Sequence, residues 1–181
     1  MTIPNILSLF RIFLIPIFLI VYLTQDSQPY FIISALILLV SGITDVLDGY
    51  IARKYKMTSE LGKILDPFAD KTTQIAILAA LVIKHPKLLF VVAIYFAKEL
   101  AMLIGGIIIL KNKIPMASSK WFGKIGTLLF YAATFVIIAF PNLLTEDGIL
   151  ILIGAITVYM LFTLAMYIPE FFKLKKKSKQ S

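Results

Sequence analysis

Four aspartates stand as two closely spaced pairs in two apolar stretches of the chain: Asp45 with Asp48, and Asp66 with Asp70. Residues three or four apart share one face of an α-helix, so each pair would present both of its carboxylates in one direction. The two stretches are joined by a short connection, which predicts antiparallel neighbouring helices whose four carboxylates converge near that connection. Ionisable residues inside a membrane are costly, and their presence indicates a functional site.

The chemistry of this cluster is limited by the ligands that the chain can supply. Four carboxylates in one pocket require neutralisation by protons or cations. The chain contains no Cys and a single His, which excludes thiolate sites and multi-histidine centres, and all-oxygen ligands favour hard cations such as Mg²⁺, Mn²⁺ or Ca²⁺. Two divalent ions would balance the four carboxylates and admit an anionic phosphate ester. The structural alternative is salt bridging of the carboxylates to Lys71, Lys98 and Arg53.

Small residues accompany the aspartates. Gly49, Ala52 and Gly62 share the helix faces of the carboxylates, where a missing side chain leaves room for a ligand. Each glycine taken alone is equally typical of close helix packing. Arg53 follows directly, and its planar guanidinium is suited to gripping a phosphate, although a single arginine at a membrane boundary also serves as an anchor.

The elements that must position these residues are membrane helices. Of the 181 residues, 60% are hydrophobic and 15% are charged, and the mean hydropathy is +0.93, which excludes an ordinary soluble domain. We predict an all-α polytopic membrane protein, with residues 1–181 forming one domain. Six stretches are long and apolar enough to span a bilayer: approximately Ile6–Leu23, Tyr30–Ile51, Leu61–Ile83, Leu88–Leu110, Trp121–Phe140 and Ile149–Ile168.

The distribution of charge predicts the orientation of these helices. Arg11 falls inside the first apolar run, so we expect residues 2–11 to form a short interfacial segment before the first span. Lysine and arginine concentrate around the second and fourth connections and in the tail, residues 173–181, which predicts that both termini and the site face the cytoplasm. The net charge of +8 indicates anionic lipid headgroups, and not nucleic acid, as partners.

The motif as a whole resembles that of a known family. The chain matches every position of the signature of the CDP-alcohol phosphatidyltransferase family, reading Asp45-x2-Asp48-Gly49-x2-Ala52-Arg53-x8-Gly62-x3-Asp66-x3-Asp70. The resemblance extends over essentially the whole chain, including its opening residues 3–11. Residues 62–71 are similar to the branch that contains phosphatidylglycerophosphate synthases and CDP-diacylglycerol-dependent cardiolipin synthases.

The resemblance implies a reaction in which an alcohol attacks the diacylglycerol-bound phosphate of CDP-diacylglycerol and CMP leaves. It implies that the four aspartates hold two Mg²⁺ or Mn²⁺ ions, and that Asp70 is also the general base. The same resemblance implies a homodimer in a bacterial plasma membrane. The residues that it assigns to CDP binding are Asp45, Asp48, Gly49, Ala52, Arg53, Gly62 and Asp66.

The acceptor alcohol is a separate question. Residues 118–127 resemble the Gly-Lys-x-x-Thr element of this branch, which makes Lys124 and Thr127 candidate acceptor-binding residues. In the fourth span, Lys98-Glu99 stands where many phosphatidylglycerophosphate synthases carry Arg-Glu. Lys98 either binds the acceptor, or it snorkels towards the membrane surface or pairs with Glu99. We expect glycerol 3-phosphate as the acceptor, with phosphatidylglycerol, which would give cardiolipin, as the alternative.

Two functions from other classes are also compatible with buried carboxylates. An intramembrane prenyltransferase binds a pyrophosphate through Asp-rich helices and Mg²⁺, but the chain lacks a second, separate Asp-rich motif. A cation carrier would use the same four carboxylates for transport. Release of CMP that depends on an added alcohol would identify a phosphatidyltransferase, whereas metal flux without CDP-diacylglycerol would identify a carrier.

Overall fold

The computed structural model describes residues 2–55, 60–111 and 121–178. Within these ranges the chain is helical and contains no β-strand. A single 3₁₀ turn, Pro86–Leu88, precedes the fourth helix. The helices are α1 (Ile3–Thr24), α2 (Gln28–Lys54), α3 (Glu60–Lys84), α4 (Leu89–Lys111), α5 (Trp121–Ala139) and α6 (Glu146–Ser178).

Four of the six described helices have the length and composition of membrane spans, compared with the six spans predicted from the sequence. Four segments are long and apolar enough to cross a bilayer, namely Ile3–Thr24, Gln28–Ala52, Pro86–Ile108 and Glu146–Pro169, and Gly123–Ala139 is a shorter apolar helix. Large apolar side chains such as Phe13, Val46 and Phe90 point outward. Such faces are unfavourable in water but match the hydrocarbon of a bilayer. The predicted class, an all-α integral membrane protein, is confirmed.

The two ends of the chain are helical. Residues 3–11 of the predicted interfacial segment belong to α1, which runs without a break from Ile3 through Arg11 to Thr24. Arg11 is completely buried, since its charge is compensated by carboxylates of other helices. At the other end, α6 continues through Pro169 to Ser178, so part of the basic tail extends the last helix.

The first of two compact units comprises Met1–Pro86 and Tyr131–Thr145. In this unit α1 packs against both α2 and α3, whereas the sequence predicts a direct pairing of α2 with α3. The aromatic rings of Phe18 and Tyr22 stack with their centroids 5.6 Å apart. Small buried residues of α3 allow helices to approach closely: Ala69, Ala76 and Ala80.

The second unit comprises Lys87–Phe130 and Glu146–Ser181. Here α4 packs against α6, and Tyr95 of α4 stacks on Phe130 of α5 with ring centroids 5.7 Å apart. An ion pair of 3.1 Å joins Lys87 to Asp147. The buried apolar side chains of the two packed helices form the core of this unit: Val92, Ile149, Ile153, Ile156 and Met160.

Candidate active site

One polar stripe runs along the otherwise apolar helix α1. Asn5, Ser8 and Arg11 follow one another at intervals of three residues, and their exposed fractions are only 2%, 1% and 0%. Polar side chains at this spacing lie along the same face of a helix. The stripe therefore faces into the protein, and it brings a positive charge to a position inside the first unit.

Three of the predicted carboxylates meet at this stripe. One oxygen each from Asp45, Asp48 and Asp66 lies within 4.8 Å of the others. The side chain of Asp48 is 3% exposed, that of Asp45 is 29% exposed and that of Asp66 is 49% exposed. The cluster is thus closed at Asp48 and open at Asp66, which leaves a side from which a ligand can approach.

Arg11 is the positive group of this cluster. Its guanidinium donates hydrogen bonds from Nη1 to Asp45 and from Nη2 to Asp48, and Nη2 also lies 3.5 Å from an oxygen of Asp66. The hydroxyl of Ser8 donates to Asp48 over 3.4 Å. Arg11 is a site residue that was not among the predicted ones, although the spacing of Asn5, Ser8 and Arg11 on an apolar helix is a usable signal.

The fourth predicted carboxylate, Asp70, has different neighbours. The amide nitrogen of Gln74 donates to its two oxygens at 3.1 Å and 3.2 Å, and the hydroxyl of Tyr131 donates over 3.4 Å. The ammonium of Lys71 lies 3.7 Å from Asp70. Gln74 follows Asp70 by one helical turn and was visible in the sequence, but nothing in the sequence linked Tyr131 to this site.

These contacts bear on the salt-bridge alternative. Lys71 approaches Asp70 as that alternative required, but Lys98 pairs with Glu99 at 2.6 Å. The side chain of Arg53 lies outside the described residues. Among the side chains that the structure describes, the cation that engages Asp45, Asp48 and Asp66 is Arg11, which the alternative did not include.

The candidate CDP-binding residues flank the carboxylates on the same two helices. Gly49 and Ala52 lie on α2 and Gly62 lies on α3, and all three are partly buried. Arg53 occupies the last turn of α2, with its side chain outside the described part. The helical backbone therefore supports the predicted placement of the small residues beside the aspartates.

The candidate acceptor-binding residues belong to the second unit. Lys98 is 9% exposed and lies over the ring of Tyr95, with its ammonium 5.5 Å from the ring centroid. Lys124 is exposed. The hydroxyl of Thr127 donates to the carbonyl of Gly123, 3.3 Å away within α5. Of the roles considered for Lys98, the pairing with Glu99 is present.

The residues of the cluster fit a hard divalent cation. All the donors are carboxylate oxygens, which suit Mg²⁺ or Mn²⁺. Three carboxylates and one guanidinium leave two formal negative charges when all four groups are ionised. A divalent cation would remove this excess, which is otherwise expensive at a partly buried position.

The chain is similar to known proteins over most of its length. The family model described as CDP-alcohol phosphatidyltransferase matches residues 1–168. The chain is similar to the CDP-diacylglycerol–glycerol-3-phosphate 3-phosphatidyltransferase of Escherichia coli, with 33% identity over 92% of both chains. The protein of that name from Haemophilus influenzae is 48% identical over 84 residues, which are 46% of this chain and 44% of the relative.

A second kind of relative is also similar. The cardiolipin synthase (CMP-forming) of Streptomyces coelicolor is 34% identical over 154 residues, covering 82% of this chain and 67% of the relative. The match to the Haemophilus protein spans less than half of that relative's length, whereas the family match spans nearly the whole chain. Together with the carboxylate cluster, these similarities establish that the chain belongs to the CDP-alcohol phosphatidyltransferase family.

Proposed function

We propose that this protein transfers the phosphatidyl group of CDP-diacylglycerol to glycerol 3-phosphate, which yields phosphatidylglycerophosphate and CMP. The observation that carries the proposal is the convergence of Asp45, Asp48 and Asp66 from two apolar helices. The similarity to relatives named for this reaction supports it. Family membership also argues against the prenyltransferase and the cation carrier considered from the sequence.

The bond changes define what the site must do. A hydroxyl oxygen of the acceptor bonds to the phosphorus attached to diacylglycerol, and the bond from that phosphorus to the CMP oxygen breaks. The hydroxyl proton passes to a base, and CMP leaves with the electron pair of the broken bond. Reactions of this type depend mainly on positioning and on stabilisation of the charge that develops on phosphate oxygens.

We assign metal binding to Asp45, Asp48, Asp66 and Asp70, with two Mg²⁺ or Mn²⁺ ions. When bound, such ions would offset negative charge on the pyrophosphate and orient it for in-line attack. The sum of four carboxylates, Arg11 and Lys71 is two negative charges. Two divalent ions would therefore leave two positive charges for an anionic substrate.

Asp70 is proposed as the general base for the acceptor hydroxyl. Gln74 donates to both oxygens of Asp70, which restrains the orientation of the carboxylate. A general base must lie within hydrogen-bond reach of the proton that it removes, so a fixed orientation favours this role. Gly49, Ala52, Arg53 and Gly62 are proposed to bind the CDP group beside the aspartates.

The acceptor is proposed to be bound by Lys124, Lys98 and Thr127. Lys124 is exposed on α5 and is the natural partner of an anionic acceptor, whereas the charge of Lys98 is already balanced by Glu99. We further propose that the enzyme is a homodimer in a bacterial plasma membrane, with both termini and the active site facing the cytoplasm.

Cardiolipin synthesis is the second candidate function, because a cardiolipin synthase is similar over 82% of this chain. The test is CMP release by the full chain in detergent, with CDP-diacylglycerol and either glycerol 3-phosphate or phosphatidylglycerol. We expect release with glycerol 3-phosphate. Release with phosphatidylglycerol alone would replace the first proposal by the second, and release with neither would reject both acceptors.

A further inference from the structure

Arg11 is a charged residue in the middle of an apolar helix, and its surroundings explain why it is tolerated there. The side chain is completely buried, and within the described residues its Nε makes no hydrogen bond. Its terminal nitrogens reach Asp45, Asp48 and Asp66. The guanidinium is therefore held by the carboxylates of two other helices.

The three carboxylates need this charge to remain together. Bringing like charges into a poorly solvated site is unfavourable, and an opposite charge in contact with each of them offsets that cost. Arg11 is suited to the task because its planar fork presents several donors and stays protonated at any relevant pH. Its removal would leave three carboxylates facing one another.

The same contacts affect any other cation that enters the cluster. The oxygens that accept hydrogen bonds from Arg11 belong to the three carboxylates that would coordinate a divalent ion. Each oxygen engaged by the guanidinium is a weaker ligand for a metal, and two cations in one small site repel each other. Arg11 and a divalent ion therefore compete for the cluster.

We propose that Arg11 is a resident counter-cation of the active site: it stabilises the fold when no metal is bound, and it lowers the affinity of the three carboxylates for divalent cations. The second half rests on the proposed metal binding, and the first half does not. The consequence is a site whose carboxylates stay folded together without a metal and whose metal is held loosely enough to exchange.

The test measures metal binding without turnover. Mn²⁺ is titrated into the full chain in detergent, after chelation and without substrate, and its binding is followed by electron paramagnetic resonance. Thermal unfolding is recorded in parallel with EDTA or with saturating Mn²⁺. The variants are Arg11→Gln, Arg11→Lys and the control Lys84→Gln, which removes a charge paired with Asp26 in the same unit.

We expect Arg11→Gln to bind Mn²⁺ about tenfold more tightly than the wild type, to unfold at a lower temperature in EDTA, and to gain more stability from Mn²⁺. Lys84→Gln should bind Mn²⁺ as the wild type does. Equal or weaker Mn²⁺ binding by Arg11→Gln would overturn the proposal and leave the metal site intact. Absence of Mn²⁺ binding in the wild type and in both Arg11 variants would overturn it together with the proposed metal dependence.

Arg11→Lys keeps the test decisive where Arg11→Gln fails to fold. A lysine ammonium is compact and engages fewer carboxylates than a guanidinium, so at least threefold tighter Mn²⁺ binding is expected. Unchanged or weaker binding by this variant would contradict the proposal. Recovery of Arg11→Gln only when Mn²⁺ is present throughout purification would support it, because the metal would then be supplying the missing charge.

Discussion

Charged side chains are buried in both units of this protein, but they are balanced in different ways. In the first unit, Arg11 is surrounded by three carboxylates, so negative charge is in excess among the described side chains. In the second unit, Lys98 pairs with its chain neighbour Glu99 at 2.6 Å, and the pair is neutral. The first arrangement can attract a further cation, whereas the second has no net charge to offer.

The difference distinguishes a cluster with unbalanced charge from a neutral ion pair. Neighbouring residues of opposite charge in a membrane helix cancel locally and need no other helix. The aspartates of α2 and α3 are brought together only by the fold, at a cost that a purely structural role would not require. We therefore expect equivalent substitutions in the two regions to have very different effects on catalysis.

The largest effect is expected for loss of a carboxylate from the cluster. Asp48→Asn should lower kcat/KM by about 10³-fold or more, because it removes a carboxylate proposed to hold the divalent cation that would offset negative charge on the pyrophosphate. Chelation of divalent cations should abolish CMP release, and Mg²⁺ or Mn²⁺ should restore it. The measurement is CMP release at varied CDP-diacylglycerol concentrations.

Glu99→Gln is the matched control, because it replaces a carboxylate by a neutral amide in the second unit. It should reduce kcat/KM by no more than about threefold, although loss of a partner for the buried Lys98 destabilises the fold by about 1–3 kcal/mol. Similar losses of kcat/KM for Asp48→Asn and Glu99→Gln would contradict the expected difference between the carboxylate cluster and the Lys98–Glu99 pair.

An intermediate effect is expected at Asp70 and its neighbours. Asp70→Asn should lower kcat by about 10²–10⁴-fold, the usual contribution of a general base. Gln74→Leu removes the amide that donates to both Asp70 oxygens and should lower kcat by about tenfold, as expected for loss of an orienting contact.

Steady-state kinetics of both variants would measure these losses, with Thr72→Ala as the control, since the Thr72 hydroxyl donates to Phe68 within α3. Retained turnover in Asp70→Asn would remove Asp70 as the base. A normal kcat in Gln74→Leu would show that the amide does not position it.

The smallest effect is expected on the KM for the acceptor, and it compares two lysines of the second unit. Lys124→Gln should raise the KM for glycerol 3-phosphate by about tenfold, because a charge-assisted contact to a phosphate contributes roughly 1.5–3 kcal/mol. Lys98→Gln should change this KM by less than about threefold, since Glu99 already neutralises Lys98. Equal increases in both variants would show that Lys98 contributes to acceptor binding as much as Lys124 does.

Much of the fold and part of the site could be predicted from the sequence. Long apolar stretches predicted membrane helices because backbone groups in hydrocarbon must be hydrogen-bonded within the segment. The i,i+3 spacing of Asp45 and Asp48 predicted a shared helix face, and these two residues meet Asp66 as expected. These features depend on residues close together in the chain.

Other features depend on contacts between distant segments and were not predictable in the same way. The pairing of Arg11 with Asp66 joins residues of different helices, and the contact of Tyr131 with Asp70 spans an even longer stretch of chain. Apolar helices have no periodic charge pattern that selects a partner, and their packing depends on detailed shape. From the sequence, Arg11 was predicted to lie at the membrane interface. The carboxylates that compensate its charge lie on other helices, so their contact with Arg11 could not be read from the sequence.

The amino-acid sequence alone determined the membrane class, the helices and the aspartates, because helix periodicity and hydrophobicity act locally. Only the tertiary structure decided which cation these aspartates meet and how Asp70 is held. The physical reason is that charge compensation in a membrane protein is a property of helix packing. Arg11 therefore changes from a predicted interfacial residue to the buried positive group of the carboxylate cluster.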